Sequence, residues 1–427
     1  MAKHRVVIVG GGFGGLHAAR ALRHPGVEVT LLDRRNYHLF QPLLYQVATG
    51  GLSPGEIAAP LRTIFDRQKN LRVLMTEVLG FDLTARQVHT TMGDIPYDSL
   101  IVAAGARSTY FGNQHWASIA PSLKTIEDAT HLRSRILRAF EEAEKEPNPD
   151  RRRALLTFLI VGGGPTGVEL AGALSEIAND VLRESFRTFS PEDSRILILE
   201  SGPRILSNFS ERLSRAAERQ LIELNVRCRT GVRVLDVTPE GALIRTATQE
   251  DFLPAHTIIW AAGVAASPLA QKLAETAGLP LVRGGKIAVE ADCTLPGHPE
   301  VFVIGDMAHF EHHGQPPLPG VCQPAMQMGD YTGALILARL SGKTKPKFRY
   351  WNKGNMAVIG RRRAVAQVGP FEFSGYFAWL LWAFIHILYL VHFQSRVIVA
   401  IRWGFDYFSF NRGTRLITQP DPPALKS

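Results

Sequence analysis

The chain repeats one grammar: a short apolar run, a cluster of glycines, a stretch of helical periodicity, then another apolar run closed by an acid. Val6-Val-Ile-Val9 has no polar alternation, as a parallel strand covered on both faces requires. Glycines 10, 11, 12, 14 and 15 follow, then a helical pattern over 16–23, and Val27-Glu-Val-Thr-Leu-Leu32 predicts a second strand ending in Asp33. About 150 residues later the order returns. A strand is predicted over 155–161, then glycines 162–164 and 167, a helix over 168–178 rich in small residues, and Arg195-Ile-Leu-Ile-Leu199 ending in Glu200. A further helix is predicted from Gln323-Pro324, with proline at its first position, through Leu340.

Both repeats place G-x-G-x-x-G between a strand and a helix, the arrangement that binds a dinucleotide. Gly10 and Gly162 make the tight turn, Gly12 and Gly164 let a pyrophosphate reach the backbone, and Gly15 and Gly167 let helix and strand close up. Thr166 lies within the second fingerprint. The start of each helix adds unpaired N–H groups and partial positive charge. Asp33, 23 residues after Gly10, is placed to accept hydrogen bonds from an adenosine ribose. Glu200 stands 38 residues after Gly162, the excess lying in a lengthened helix and a loop over 186–194 broken by Pro191 and Asp193. A carboxylate there repels a 2′-phosphate and predicts NADH over NADPH, an inference that nearby Arg204 would blunt. The pattern therefore predicts an α/β fold with two Rossmann-like dinucleotide-binding domains. One would hold FAD as a fixed cofactor and the other would admit NADH as substrate.

Composition changes this picture little. A length of 427 residues suggests two or three domains, and 45% hydrophobic with 20% charged residues is the make-up of a folded protein. The net charge of +9 suits anionic cofactors or an anionic membrane surface. Nucleic acid is disfavoured, since no zinc-finger, RRM or helix-turn-helix pattern is present. Cys228, Cys293 and Cys322 are scattered, with neither C-x-x-C nor zinc spacing, so no metal site or disulfide framework is expected and a reducing compartment is favoured. The first strand begins at Arg5, leaving no room for a signal peptide.

Several further segments carry a resemblance. Leu100-Ile-Val-Ala-Ala-Gly105, Ile258-Ile-Trp-Ala-Ala-Gly263 and Val301-Phe-Val-Ile-Gly305-Asp306 are of the strand-and-glycine type. More specific are Phe40-Gln-Pro-Leu-Leu-Tyr45-Gln46, Gly164-Pro-Thr-Gly-Val-Glu169, Gln323-Pro-Ala-Met-Gln327 and Lys353-Gly-Asn-Met356. Together they resemble the two-dinucleotide flavoproteins, and among them the type II NADH dehydrogenases, over essentially the whole chain. Cys322 departs from the alanine usual before this glutamine segment. The resemblance implies that Asp306 meets the ribityl chain of FAD and that Gly105 and Gly263 mark crossings between domains. It implies that Tyr45, Gln46, Gln323 and Gln327 line the quinone or nicotinamide side of the flavin. Glu169 would face the nicotinamide–flavin contact as an orienting or proton-linked group, and Lys353 would supply positive charge near the reduced flavin or quinone. The helix opening at Gln323 would favour negative charge on the flavin with its N-terminus. The expected layout is an FAD-binding domain over 1–115 and 265–340, an NADH-binding domain over 116–264, and a membrane-anchoring region over 341–427.

That last region changes character. Tyr376 to Phe393 is apolar but for two histidines, and Trp379, Trp382, Tyr389 and Trp403 are interleaved with His386, His392, Arg396 and Arg402. The run sits at the lower edge for a spanning helix, and its composition favours a peripheral anchor lying in the interface over a spanning helix, a soluble core or a dimer contact. The expectation is a peripheral protein on the cytoplasmic face of an energy-transducing membrane, reducing a membrane quinone without ion pumping, with a homodimer left open. A sulfide:quinone or disulfide reductase would need suitably placed cysteines. An NADH-responsive interaction module would bind FAD with negligible quinone reduction.

Overall fold

The computed structural model describes residues 3–312, 316–409 and 415–417. By its internal contacts the chain forms two compact units. One comprises 1–39, 58–107 and 264–353, the other 40–57, 108–263 and 354–427.

The first unit is built on a six-stranded sheet in the order Thr294–Leu295, His298–Val303, Ser99–Val102, His4–Val9, Val27–Asp33, Leu71–Met75. All neighbours are parallel except the outermost pair at Thr294–Leu295. Val6, Val7, Ile8 and Val9 are buried, which is why their run carries no polar alternation. The first fingerprint helix is Phe13–Ala21, starting earlier than its periodicity suggested because Gly14 and Gly15 are taken into its first turn. It packs on Cys322–Leu340, where a side chain on Gly329 would collide with the carbonyl oxygen of Gly14. Pro324 is the third residue of that long helix rather than the first, still within the turn whose N–H groups have no intrahelical partner.

The second unit has a parallel sheet in the order Val226–Arg229, Arg195–Leu199, Thr157–Val161, Thr257–Trp260. The strand expected from 155 begins at Thr157, since Leu155 still closes the helix Pro149–Leu155, which Asn148 caps. Tyr110, Trp116 and Trp260 form an aromatic core beside the meander Arg233–Thr238, Gly241–Arg245, Glu250–Pro254. The second fingerprint helix, Pro165–Glu176, continues as a π-helical turn over Ile177–Val181. Against it lies an antiparallel sheet, Asn355–Gly360, Arg363–Val368 and Phe371–Ser374. The approach is so close that a Cβ on Gly172 would sit inside the carbonyl oxygen of Ile359.

The C-terminal apolar run does not form one helix. Tyr376–Tyr389 ends at Leu390, whose backbone is extended, and Phe393–Ser409 starts anew. Arg396 Nε donates to the Leu390 carbonyl at 2.7 Å, satisfying an acceptor that the corner would otherwise leave bare. Among the described residues no helix is long and apolar enough to cross a membrane.

Candidate active site

The two fingerprints fold into near-copies of one device. Gly10 and Gly162 take φ of 104° and 112°, a conformation that only glycine adopts without strain. In the first unit Gly11 N donates to Asp33 Oδ2 at 2.6 Å and Arg35 N donates to Oδ1 at 2.7 Å. In the second, Gly163 N donates to Glu200 Oε2 at 2.7 Å and Gly202 N to Oε1 at 2.6 Å. Each acid is thus locked by backbone donors at the strand end, with further lone pairs left for ribose hydroxyls. Gly12 and Gly164 cap their helices with no side-chain acceptor for the first N–H groups, and a Cβ on either would meet nothing within 4 Å. Open space in front of bare N–H groups is what a pyrophosphate needs, so both loops fit a dinucleotide. Thr166 is exposed in the first turn of its helix. Arg204 turns elsewhere: its guanidinium donates to the carbonyls of Leu206, Ser207 and Phe209 and makes no ion pair with Glu200 among the described contacts.

The glycines singled out beyond the fingerprints sit at strand ends. Gly105, Gly263 and Gly305 have positive φ, and Asp306 follows within the short 3-10 turn Gly305–Met307.

The six residues expected at the reaction centre fall in two groups. In the first unit Gln323 and Gln327 grip one segment from the helix Cys322–Leu340. Gln323 Oε1 accepts from Lys353 N at 3.2 Å, while Gln327 exchanges hydrogen bonds of 2.9 Å in both directions with the Trp351 backbone. Lys353 Nζ lies 5.7 Å from the centre of the Trp351 ring. The helix begins at Cys322 with no side-chain cap, so its N-terminus keeps its partial positive charge.

In the second unit Tyr45, Gln46 and Glu169 line one cavity of about 830 Å³ counting its open mouth. Gln46 is held from both ends, its Nε2 donating to the Tyr45 hydroxyl at 2.8 Å and its Oε1 accepting from Trp403 Nε1 at 2.9 Å. The Gly172–Ile359 approach sets Val358 N 3.5 Å from Glu169 Oε1, too long to compensate the carboxylate for lost water. Burial therefore pushes the Glu169 carboxyl up to about 8, and it is chiefly protonated at neutral pH.

The rest of this cavity was not foreseen. Trp379, Trp382, Trp403 and Tyr407 form its far wall, Trp382 stacking on Trp403 at 5.1 Å and Trp379 on Tyr407 at 5.7 Å. From composition these tryptophans were expected at a membrane interface, yet Trp382 is only 2% exposed. Arg361 is clamped by Glu176 through its backbone N–H and lies 3.6 Å from Asp180, so a cation sits among the carboxylates lining the cavity. The signal that would have found the inward face is the four-residue step Ala378–Trp382–His386. Outward-facing residues include Phe377, Leu380, Phe384 and Leu388, followed by Phe393, Val397, Ile401 and Phe405 at every fourth position of the last helix.

Cysteine chemistry is poorly served. All three thiols are free, and burial raises each: Cys228 to about 12, Cys322 to about 11, and Cys293 further still. None is poised as a thiolate.

Two strand–loop–helix–acid units in one chain define a pyridine-nucleotide-linked oxidoreductase of the two-dinucleotide class. A family model described as pyridine nucleotide-disulphide oxidoreductase matches residues 4–329. The type II NADH:quinone oxidoreductase NdhA of Mycobacterium tuberculosis is 45% identical over 426 residues, covering 97% of this chain and 90% of that protein. The solved structure of NDH2 from Plasmodium falciparum in complex with NADH superposes with a TM-score of 0.88 at 21% identity, covering 98% of this chain and all of that one. A sulfide:quinone oxidoreductase from Aquifex aeolicus shares the fold at a TM-score of 0.73 and 18% identity, over 95% of each chain. The chain belongs to the pyridine nucleotide-disulphide oxidoreductase family and, within it, to the type II NADH:quinone oxidoreductases.

Proposed function

We propose that the cavity lined by Tyr45, Gln46 and Glu169 receives the quinone, and that the outward faces of the last two helices rest on a bilayer. The enzyme oxidises NADH with FAD as cofactor and passes the electrons to a quinone. Bound FAD would supply the hydride-accepting, two-electron redox chemistry. The protein's own residues supply binding, alignment and protons.

The first fingerprint, with Gly10, Gly12, Gly15 and Asp33, is assigned to FAD, together with Gly105, Gly305 and Asp306. The second, with Gly162, Gly164, Thr166, Gly167, Glu200 and Gly263, is assigned to NADH. Gln323 and Gln327 hold the Lys353 segment in place, and the open N-terminus of their helix favours negative charge nearby. Reduction of a quinone consumes protons, and Glu169 holds one at neutral pH on the cavity wall.

One observation carries the reading. The wall of the Glu169 cavity is made by the same two helices that expose phenylalanine, isoleucine and leucine on their other side, so a substrate dissolved in a bilayer would enter beside its proton donor. Residence on the cytoplasmic face of an energy-transducing membrane and association as a homodimer belong to the same reading.

The test separates the half-reactions under anaerobic conditions. Gln46→Leu should leave bleaching of the flavin by NADH unchanged and slow its recovery on adding quinone. Equal slowing of both steps would overturn the assignment of this cavity.

A further inference from the structure

In the second unit a strained residue carries an exposed aromatic ring. Phe111 has a φ of 51°, in the left-handed region that a side chain this bulky rarely enters. Its ring is nonetheless 67% exposed, so packing inside the protein does little to offset the strain. Two local contacts hold it in place. The Phe111 amide donates to Thr109 Oγ1 at 3.2 Å, and the tip of the ring lies against Gly263, where any Cβ would collide with Phe111 Cζ. The Trp260 ring stands beside it, 6.4 Å away centre to centre.

The order of the sheet says what passes this ring. Arg195–Leu199, Thr157–Val161 and Thr257–Trp260 are parallel neighbours, so all three end on one edge. A dinucleotide held by such a sheet lies along the carboxyl ends of its strands. By the assignment above, Glu200 after the first strand takes the adenosine ribose, and Gly162–Gly164 after the second take the pyrophosphate. The remaining half, nicotinamide and its ribose, then continues towards the end of the third. That end abuts the fingerprint: Ala261 N donates to the Val161 carbonyl at 2.8 Å, and a Cβ on Gly162 would come within 2.8 Å of the Ala261–Ala262 peptide. Gly263, on which the Phe111 ring rests, is the next residue along.

We propose that the Phe111 ring is a stacking platform for the nicotinamide half of NADH, at the end of the site opposite Glu200. This role rests on the assignment of the second fingerprint to NADH. A flat nicotinamide ring laid on the phenyl face takes apolar surface of both partners out of water. Because the backbone and Gly263 already fix the phenyl ring, it loses little freedom on binding. Gly263 then serves the nucleotide by seating that ring, which a side chain at this position would push aside.

The experiment titrates the oxidised, FAD-loaded full chain by calorimetry with NAD+ and, separately, with ADP, which lacks the nicotinamide half. Phe111→Ala should weaken NAD+ binding by roughly 5- to 50-fold and leave ADP within about twofold of wild type. Phe111→Tyr, which keeps the ring, should bind NAD+ as wild type does. In steady state F111A should lower kcat/KM for NADH by a similar factor and leave kcat/KM for quinone unchanged, a split that a general structural defect does not produce. If F111A fails to fold, Phe111→Gly, which takes a φ of 51° without strain, should show the same selective loss. Gly164→Val tests the site itself. Its side chain enters the open space before the helix N-terminus and should weaken NAD+ and ADP alike. If G164V changes neither, the nucleotide assignment of this unit falls. If G164V weakens both while the ring-less variant weakens neither, or weakens ADP as much as NAD+, the stacking role is overturned and the assignment stands.

Discussion

Glutamate 169 gives the most demanding prediction. Its carboxyl rises from an ordinary 4.5 to about 8 because burial removes water and only one long N–H contact offsets the loss. Between these values the folded protein keeps a proton that the unfolded chain has released. The folded state therefore binds more protons there, and stability falls as pH rises through the window. Each pH unit is worth about 1.4 kcal/mol, so the full cost between pH 4.5 and 7 is about 3 kcal/mol. Contact with solvent at the cavity mouth screens part of this, leaving about 1–3 kcal/mol. Glu169→Gln is a close isostere with no proton to lose. Chemical denaturation of the FAD-loaded enzyme should find the two proteins equally stable near pH 4.5, with the variant pulling ahead steadily up to pH 8. In stopped-flow, the quinone half-reaction of the variant should slow by about 10²-fold or more, the usual worth of a positioned acid, while NADH oxidation keeps its rate. A stability gap independent of pH would refute the raised pKa. An unchanged quinone step would refute the role as proton donor.

Other expectations follow from the same geometry. Wild type should use NADPH at least about tenfold less well than NADH in kcat/KM, since backbone N–H groups hold Glu200 at the strand end, where the proposed assignment has it meet the ribose, and Arg204 is engaged with backbone carbonyls; equal turnover would remove that assignment. Gly172→Ala should destabilise the enzyme by about 1–3 kcal/mol in urea titrations, because its methyl group and the Ile359 carbonyl compete for one place. A triple change of Phe393, Ile401 and Phe405 to aspartate should abolish vesicle flotation while sparing turnover with a water-soluble quinone analogue. Retained flotation would show that the outward stripe is not the docking surface.

Much of this protein could be read from its residues, for a definite reason. A central parallel strand must be apolar throughout, a tight turn above a helix must be glycine, and the strand after it must end in an acid, so both nucleotide units are written locally. Gln323, Gln327 and Lys353 could be nominated only through resemblance, and their mutual hydrogen bonds depend on a helix and a loop more than twenty residues apart. The tail was harder. Trp382 and Phe384 are two residues apart and both aromatic, yet one is buried in the cavity wall and the other is 60% exposed. Composition marks such a segment as aromatic, but only the partner on each side decides which rings turn inward. The break at Leu390 is of the same kind, since its stability depends on Arg396 reaching back to a carbonyl.

The contact of Gly172 with Ile359 has a practical corollary. A protein engineer wanting a detergent-free enzyme would be tempted to delete everything after the helix Cys322–Leu340, where the chain turns basic and aromatic. The sheet Asn355–Ser374 is docked on the nucleotide helix with no space between backbones, so that deletion would strip the helix of its cover. Trp382 and Trp403 would go too, and the cavity would lose a wall. Solubilisation should instead recolour the outer stripe of the last two helices, residue by residue, and leave the chain its full length.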